Sequence, residues 1–321
     1  MKSTKTIAVI GSTGQVGKSV ALSLLQDAYF HVRVTTRNPT SEKSQYLNSL
    51  GAEVIKADSW NAGELDLTFK GVWGVFLNTN SDAPEFAGDG DLAETQMGKN
   101  VVDAAQRQGK GFKSSYMPTN FHKNNISDYA KQAGFRSTVN VNVGWMMENF
   151  WNPAYEKAFG GFARLEDPAS YLTIDLFPIG NTPESTPFTS VRDDYGDIVH
   201  GVFLDPGSWD KQTVWAVSQP LSFQGFADAY NRVSGTTKAR YLQRTKPNEA
   251  STPEKSAEVN AIRKYVEFVK GDYCNGKPVD QTAARELKKA GAVARNAPKE
   301  QQNLQTVGGF IKRYGLRGED M

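Results

Sequence analysis

Seven residues near the amino terminus constrain this chain more than any others. The run Gly11-Ser12-Thr13-Gly14-Gln15-Val16-Gly17 has glycine at every third position. It follows an apolar, strand-like segment, residues 7–10, and opens a segment, residues 15–27, whose apolar side chains recur at helical spacing. Glycine allows a sharp turn and lets another group approach the backbone without meeting a Cβ atom. This context predicts the first strand–turn–helix unit of a parallel sheet.

The same run predicts a site for a diphosphate group. A helix amino terminus presents backbone N–H groups without intrahelical partners and a positive dipole end, both of which favour phosphate. The last glycine would let the helix pack closely against the strand. The predicted dinucleotide contacts are Gly11, Ser12, Thr13, Gly14, Gln15, Val16 and Gly17.

The end of the second predicted strand indicates which dinucleotide binds. In NAD sites, an acidic residue about 20 residues beyond the glycines holds the ribose hydroxyls. Arg37 stands at that position here, and its guanidinium suits the oxygens of a 2′-phosphate. Lys43 would add a second positive charge from the following helix. We therefore predict NADP(H) as the cofactor; the alternative is that Arg37 is only a solvated residue at a strand end.

Strand-like and helical segments alternate through the first half of the chain. Such alternation predicts an α/β fold with a doubly wound, parallel Rossmann-type sheet. Residues 151–190, rich in proline, glycine and aromatic residues, interrupt the alternation, and helical segments follow. We expect an NADP(H)-binding Rossmann domain over residues 1–150, to which residues 190–220 return. A smaller, mostly helical lobe for the substrate or a partner would occupy residues 151–321.

Composition limits the other functional classes. The net charge is only +2, which gives no indication of a direct nucleic-acid partner. No segment approaches about 18 uninterrupted apolar residues, so no membrane span is predicted. The amino terminus has no apolar signal core, and the single cysteine, Cys274, excludes an internal disulfide. We expect a cytoplasmic protein, with the nucleus left open, and no metal site, because three histidines and one cysteine supply few ligands.

Further motifs follow in an order that resembles one known family. They are Thr36-Arg37-Asn38-Pro39, Lys56-Ala57-Asp58, and residues 94–105, 114–115, 123, 144–150, 193–198 and 203–206. Together with the glycine run, they resemble the NmrA-like family of atypical short-chain dehydrogenases over most of the chain. The resemblance implies a Rossmann-type fold that binds NADP(H).

The resemblance also implies roles for four more residues. Asp58 would lie near the adenine, and Asn78 and Thr79 would line the cofactor cleft at the carboxyl end of the fourth strand. Lys123 matches the family lysine that faces the nicotinamide ribose. Its ammonium would hold the ribose, or act as the catalytic proton donor if its pKa were lowered. The alternative is a surface lysine without a function.

One departure leaves two functional classes open. Typical short-chain dehydrogenases use Tyr-x-x-x-Lys, but Thr119 stands four residues before Lys123, and the segment between Ser115 and Lys123 is shorter than in most relatives. We favour an NADPH-dependent oxidoreductase that transfers hydride to a carbonyl, imine or activated alkene of a bulky small molecule. The alternative is a non-catalytic NADP(H)-binding redox sensor or transcriptional regulator that acts through a protein partner.

A set of apolar side chains outside this site has two possible interpretations. Aromatic and methionine residues between positions 145 and 177 would either line a substrate pocket or form ordinary core. They are Trp145, Met146, Met147, Phe150, Trp151, Tyr171 and Phe177.

The chain lacks a Gly-x-Ser-x-Gly elbow, and nothing in the sequence places His31, His122 or His200 beside an activated serine, so hydrolase chemistry is not predicted.

Overall fold

Parallel strands form the main sheet of the structure. The structure is a computed structural model that describes residues 4–79, 90–108, 113–116, 121–152, 155, 159–161, 172–179, 182, 184–245 and 253–314. In chain order the strands are β1 (Lys5–Ile10), β2 (Phe30–Thr36), β3 (Glu53–Lys56), β4 (Gly74–Leu77), β5 (Lys113–Tyr116), β6 (Ser137–Val143), β7 (Trp145–Met146), β8 (Gly160–Gly161), β9 (Leu172–Leu176), β10 (Thr186–Thr189), β11 (Thr213–Ala216), β12 (Gln219–Leu221) and β13 (Ala239–Gln243).

The helices connect and cover these strands. They are α1 (Gln15–Leu25), α2 (Glu42–Ser49), α3 (Ala62–Phe69), α4 (Gly90–Arg107), α5 (Phe121–Gln132), α6 (Gly196–Leu204), α7 (Phe223–Ser234), α8 (Pro253–Phe268), α9 (Thr282–Ala294) and α10 (Val307–Tyr314). Single turns of other helical types occur at Met147–Trp151, Val191–Tyr195 and Lys299–Gln301. Among the described residues, no helix combines the length and the apolar composition needed to cross a membrane.

The main sheet has the strand order β11-β6-β5-β4-β1-β2-β3, and each pairing in it is parallel. The order reverses between β1 and β4, because successive strands are added on opposite sides of β1. In open α/β sheets, ligands bind in the crevice at the carboxyl ends of the strands on either side of such a reversal. The predicted doubly wound Rossmann-type fold is confirmed, and the reversal shows which loops form its crevice.

The sheet is covered on both faces, as a parallel sheet requires. Strand β4 is buried throughout, and on one side its neighbours pack into a cluster with α3, α4 and α5 that includes Ala8, Leu65 and Ile126. On the other side, the ring of Phe76 meets that of Tyr195 edge-on at 6.3 Å. Burial of both faces explains why residues 7–10 of β1 and the whole of β4 are continuous apolar runs in the sequence.

The chain divides into two compact units. The first comprises Met1–Val143, Val191–Ala216 and Thr282–Leu304, and the second comprises Gly144–Ser190, Val217–Gln281 and Gln305–Met321. Helix α9 therefore lies in the first unit, whereas the sequence-based division assigned it to the smaller lobe. The reason is close packing of α9 on α6: a Cβ atom at Gly291 would overlap the carbonyl oxygen of Asp197, and one at Gly201 would overlap that of Leu287.

The second unit combines helices with two small sheets, of strand order β12-β10-β7 and β13-β9-β8. Its core is strongly aromatic, and the rings of Phe150 and Phe226 lie 4.5 Å apart. Helix α7 is capped at its amino end by Ser222, whose hydroxyl accepts a hydrogen bond from the N–H of Gly225, and at its carboxyl end by Gly235, which has a left-handed φ of +67°. Both ends follow ordinary capping preferences.

Candidate functional site

Two glycines of the first turn are required by the fold itself. Gly11 has a φ of +78°, and a Cβ atom there would overlap the carbonyl oxygen of Asn78. At Gly17 a Cβ atom would overlap the carbonyl oxygen of Gly11. Any larger residue at either position would push the turn away from β4 or push α1 away from the turn.

Gly14 is not required by the fold. Its backbone is extended, with φ −82° and ψ 165°, and a Cβ atom would meet nothing nearer than the carbonyl oxygen of Gly11 at 3.5 Å, an ordinary contact. Gly14 is exposed and stands at the amino terminus of α1, where no side chain caps the helix and no acidic residue occupies the first turn. Open backbone at a helix amino terminus is what a dinucleotide diphosphate needs, so these residues fit that group.

The other four residues of the turn divide by exposure. Ser12 is buried, and its hydroxyl donates a hydrogen bond to the carbonyl oxygen of Thr35 at 3.0 Å, which ties the turn to β2. Val16 is buried against the core. Thr13 is half-buried and Gln15 is exposed. Side chains at 13 and 15 can therefore reach a ligand, whereas Ser12 and Val16 would contribute through their backbone.

A cleft of about 620 Å³ opens beside the carboxyl ends of β2 and β3. Arg37 lines it together with the segment that follows β3. The lining consists of Arg37, Lys56, Ala57, Asp58, Trp60, Asn61, Ala62, Gly63 and Glu64. The structure thus brings Arg37 and Asp58, predicted from separate motifs, to one cleft. It also adds an aromatic side chain, Trp60, that the sequence analysis did not single out.

Asp58 holds the loop that forms one wall of this cleft. Its carboxylate Oδ1 accepts a hydrogen bond from the N–H of Trp60 at 3.0 Å, and its own N–H donates to Glu64 Oε2 at 2.7 Å. The side chain of Asn61 caps α3 by accepting from Gly63 and Glu64. These hydrogen bonds fix the backbone around Trp60 and leave the second oxygen of Asp58 available for an adenosine group.

Basic side chains gather around the glycine turn. Lys43, predicted from the sequence, is exposed on α2. Lys18 follows the last glycine, and its Nζ lies over the ring of Tyr46, 4.9 Å from the centroid. Burial lowers the pKa of Lys18, and the positive charges of Arg192 and Lys43 lower it further. Three cations that act on one another create a field that attracts phosphate. Arg192 could not be connected with the turn from the sequence, because it lies more than 170 residues from it.

The carboxyl end of β4 carries a second group of predicted residues. Asn78 has a buried side-chain oxygen, Oδ1, without a hydrogen-bond partner in the described part of the chain. Thr79 is buried and donates from Oγ1 to Glu94 Oε1 at 2.5 Å. Lys123 is also buried, and its Nζ lies 3.9 Å from the same oxygen. A buried polar atom without a partner at a crevice is a common sign of a ligand contact.

The structure therefore places the predicted residues in two groups at one edge of the sheet. Arg37 and Asp58 lie at the cleft beside β2 and β3, and Asn78, Thr79 and Lys123 lie beyond β4 and β5. Lys123 is not the surface lysine of the alternative interpretation. Glu94 was missed as a site residue, although its motif had been noted, because its partners come from other parts of the chain. Thr119 lies outside the described residues.

The apolar candidates belong to the core of the second unit. Trp145, Met147, Phe150, Trp151 and Phe177 are buried in one cluster with Phe188, Phe223 and Phe226. Met146 is half-buried, and Tyr171 lies outside the described residues. Core packing therefore accounts for the burial of these aromatic side chains.

A serine, a histidine and two aspartates do meet inside the first unit. Nδ1 of His200 lies 3.1 Å from Ser23 Oγ, and its Nε2 lies 3.0 Å from Asp27 Oδ2. Ser23, however, donates its proton to Asp197 at 2.6 Å, and the Ser23 and His200 side chains are buried. A nucleophile needs an accessible oxygen whose proton passes to the histidine. The cluster is thus structural, and no group of three or more His, Cys, Asp or Glu side chains in the described ranges could hold a metal ion.

Similar proteins occur in fungi. The chain is 36% identical over 333 residues to the NmrA-like family domain-containing oxidoreductase FrzB of Cladobotryum sp., with 96% of this chain and 98% of that protein covered. It is 33% identical over 330 residues to the oxidoreductase himF of Aspergillus japonicus, with the same coverage of both. The solved structure of NmrA, a negative transcriptional regulator in complex with NADP, superposes with a TM-score of 0.72 at 22% identity, covering 91% of this chain and 94% of that one.

The strand order, the glycine turn at its reversal and the basic cleft define a Rossmann-type protein with a turn of the dinucleotide-binding kind. The NmrA-like family matches residues 3–294. The chain belongs to the NmrA-like family, and the resemblance found from its motifs is confirmed.

Proposed function

We propose that this chain is an NADP(H)-dependent oxidoreductase. The observation that carries the proposal is Gly14, a glycine that the fold does not need, at an uncapped helix amino terminus. An approaching phosphate explains both the missing side chain and the missing cap. The fungal relatives FrzB and himF, both named oxidoreductases, support the same class of activity.

Preference for the 2′-phosphorylated cofactor is proposed from the cleft. Arg37 faces it together with Lys56, and an acidic residue does not occupy the ribose position at the end of β2. A carboxylate there would repel a 2′-phosphate, whereas a guanidinium binds it through paired hydrogen bonds. Asp58, which lines the same cleft, would contact the adenosine. We therefore assign Arg37, Lys43 and Asp58 to the adenosine end of NADP(H).

Asn78, Thr79 and Lys123 are assigned to the nicotinamide end. Bound NADPH supplies the hydride. The ammonium of Lys123 would hold the ribose and stabilise negative charge that develops on the substrate, and burial strengthens such an electrostatic contribution. We propose that the first unit binds the cofactor, that the second selects the substrate, and that the substrate is a bulky small molecule with a carbonyl, imine or activated alkene.

The test is a titration of the purified protein with NADPH, NADP+, NADH and NAD+. Arg37→Ala should weaken NADPH binding by about 1.5–3 kcal/mol, the range for hydrogen bonds to charged groups, and leave NADH binding nearly unchanged. Arg136→Ala is the matched control, because Arg136 is exposed just before β6, at the amino edge of the sheet. No affinity for any of the four nucleotides, or an NADH preference that survives Arg37→Ala, would overturn the proposal.

A regulator that senses the redox state of NADP(H) is the second candidate. One observation favours it: Thr119 replaces the tyrosine of the typical catalytic pair. The two candidates predict different outcomes once nucleotide binding is established. An oxidoreductase oxidises NADPH in the presence of some member of a panel of carbonyl, imine and alkene compounds, and Lys123→Met abolishes that turnover. A regulator shows no turnover across the panel and instead retains a protein partner in a manner that depends on which nucleotide is bound.

A further inference from the structure

Three polar side chains meet in the interior of the first unit beyond the end of β4. Thr79 follows β4, Glu94 lies on α4 and Lys123 lies on α5. Their exposed fractions are 3%, 3% and 5%. Oxygen Oε1 of Glu94 joins the three, because it accepts the hydrogen bond from Thr79 and lies 3.9 Å from the ammonium nitrogen of Lys123. Residues from three separate elements thus share one carboxylate oxygen.

We propose that Glu94 is the positioning residue for Lys123, and that Thr79 holds the carboxylate of Glu94 in place. The proposal rests on the assignment of Lys123 to the nicotinamide end of the cofactor. A buried ammonium is costly without a compensating negative charge. Glu94 supplies that charge and keeps Lys123 protonated where the cofactor and substrate would lie.

The distances support a positioning role. Thr79 and Glu94 are joined by a short hydrogen bond of 2.5 Å, so the carboxylate is fixed. The 3.9 Å between Lys123 and Glu94 is an ion-pair distance and exceeds the 2.7–3.2 Å of a direct N–H···O hydrogen bond. The ammonium and this carboxylate oxygen therefore attract each other as an ion pair, without a direct hydrogen bond between these two atoms. A buried pair that served only stability would gain from direct contact, so an ion-pair distance is consistent with a lysine whose hydrogen bonds serve a ligand.

The test is a pH titration of the Lys123 side chain by NMR in the full-length protein without cofactor. Lysine labelled with ¹³C reports its charge at the ε-carbon, and Lys123→Met identifies the signal. Removal of the neighbouring negative charge in Glu94→Gln should lower the pKa of Lys123 by about one unit or more, since an opposite charge at this distance favours the charged form. Glu94→Asp keeps the negative charge, so the pKa of Lys123 in this variant should lie close to its wild-type value. An unchanged titration in Glu94→Gln would overturn the proposal.

A second variant covers the case in which Glu94→Gln does not fold. Thr79→Val removes the hydroxyl but keeps both charges, and Thr79→Ser is its control. Thr79→Val should shift the pKa of Lys123 and weaken NADPH binding about threefold or more, whereas Thr79→Ser should resemble the wild type in both measurements. If Thr79→Val and Thr79→Ser behave alike, the proposed role of Thr79 is contradicted. If the wild type fails to bind NADPH, the proposed function is wrong, yet the NMR titration still shows whether Glu94 controls the pKa of Lys123. If NADPH binds normally and the titration does not move, only the positioning role fails.

Discussion

The carbonyl oxygen of Gly11 lies so close to Gly17 that a Cβ atom at position 17 would overlap it. Position 17 therefore tolerates no side chain, whereas Gly14, whose N–H donates to the same carbonyl oxygen at 3.2 Å, could carry a Cβ atom at an ordinary distance of 3.5 Å from it. Gly17 is therefore a requirement of the fold, whereas Gly14 is a requirement of the proposed ligand. This difference gives the glycines of the turn different expected responses to substitution.

Gly17→Ala should destabilise the fold, and Gly14→Ala should mainly weaken cofactor binding. Overlap with the Gly11 carbonyl forces α1 to move, at about 1–3 kcal/mol of unfolding free energy, typical of overpacking. Gly14→Ala adds a methyl group at a helix cap where its nearest neighbour, the Gly11 carbonyl oxygen, lies at an ordinary 3.5 Å, which costs about 1 kcal/mol or less. The same methyl group would stand where the diphosphate approaches, so NADPH affinity should fall about tenfold, roughly 1.4 kcal/mol.

Urea unfolding and NADPH titration of each variant measure the two effects. Gly207→Ala is the control, because Gly207 lies at an exposed turn and a Cβ atom there would meet only the Asp205 carboxylate at 3.8 Å. Equal losses of NADPH affinity in Gly14→Ala and Gly207→Ala would contradict a ligand contact at Gly14.

The sequence predicted this part of the molecule because the information is local. The strand, the glycine turn and α1 lie within 21 residues, and Arg37 follows at a spacing set by one helix and one strand. The network around Asp197 is different. Its partners Lys288 and Arg295 lie more than 90 positions away, and no spacing rule connects charges across such separations. For the same reason, the assignment of α9 to the first unit required the structure.

Lys288→Met should be among the most destabilising single substitutions in the first unit. The ammonium of Lys288 is fully buried and donates to Asp197 Oδ2 at 2.6 Å and to the carbonyl oxygen of Asp193 at 2.5 Å. The ammonium also lies 3.3 Å from the buried carboxylate of Asp194. Lys288→Met therefore removes a cation from two buried carboxylates, of which Asp197 keeps its contacts with Arg295. Removal of one partner from a buried ion pair typically costs about 3–5 kcal/mol. Lys289→Met, at the exposed neighbouring position, should change the unfolding free energy by about 0.5 kcal/mol or less. Equal effects of both substitutions on urea unfolding would show that the network does not stabilise the fold.

Stability should decrease in mildly acidic solution because of His200. Burial lowers the pKa of His200 from 6.5, despite the hydrogen bond with Asp27 and its negative charge, which act in the opposite direction. Since the folded-state pKa lies below the unfolded value, protons favour the unfolded chain. The contribution of His200 is complete above about pH 6.5 and is lost as the pH falls toward the folded-state pKa, at up to about 1.4 kcal/mol per pH unit.

Urea unfolding between pH 7.5 and 5 measures this loss. His200→Gln should lower stability at pH 7.5 but flatten its pH dependence, whereas His31→Gln, at an exposed position, should keep the slope. The titration of Asp197 does not contribute to the loss of stability in this pH range. Burial raises the pKa of this carboxyl, but the Arg295 and Lys288 contacts outweigh burial, so its pKa lies below 3.8 and its contribution is lost only at lower pH. If the His200→Gln variant still loses stability between pH 7.5 and 5 as steeply as the wild type, another titrating group causes the loss.

Trp60 should report occupancy of the adenosine cleft directly. Its indole lines the cleft together with Arg37 and is 43% exposed, so a purine base entering there can stack on it. Stacking of a base on an aromatic side chain is worth about 1–3 kcal/mol. Adenosine 2′,5′-bisphosphate, which lacks the nicotinamide half, should therefore quench part of the tryptophan fluorescence. Trp60→Phe should remove that change while keeping most of the affinity, whereas Trp60→Ala should weaken binding about 5- to 150-fold.

Trp209→Phe is the matched control for the fluorescence experiment. Trp209 is half-buried and precedes β11 at the amino edge of the same sheet, away from the crevice, so its substitution should leave the nucleotide-dependent change intact. Because the fragment carries both the adenine and the 2′-phosphate, Arg37→Ala should weaken it as strongly as it weakens NADPH, and Lys123→Met should leave its affinity unchanged. If Lys123→Met weakened the fragment while Trp60→Ala did not, the adenosine end would lie beyond β4 instead, and the assignment of the two ends of the crevice would have to be reversed.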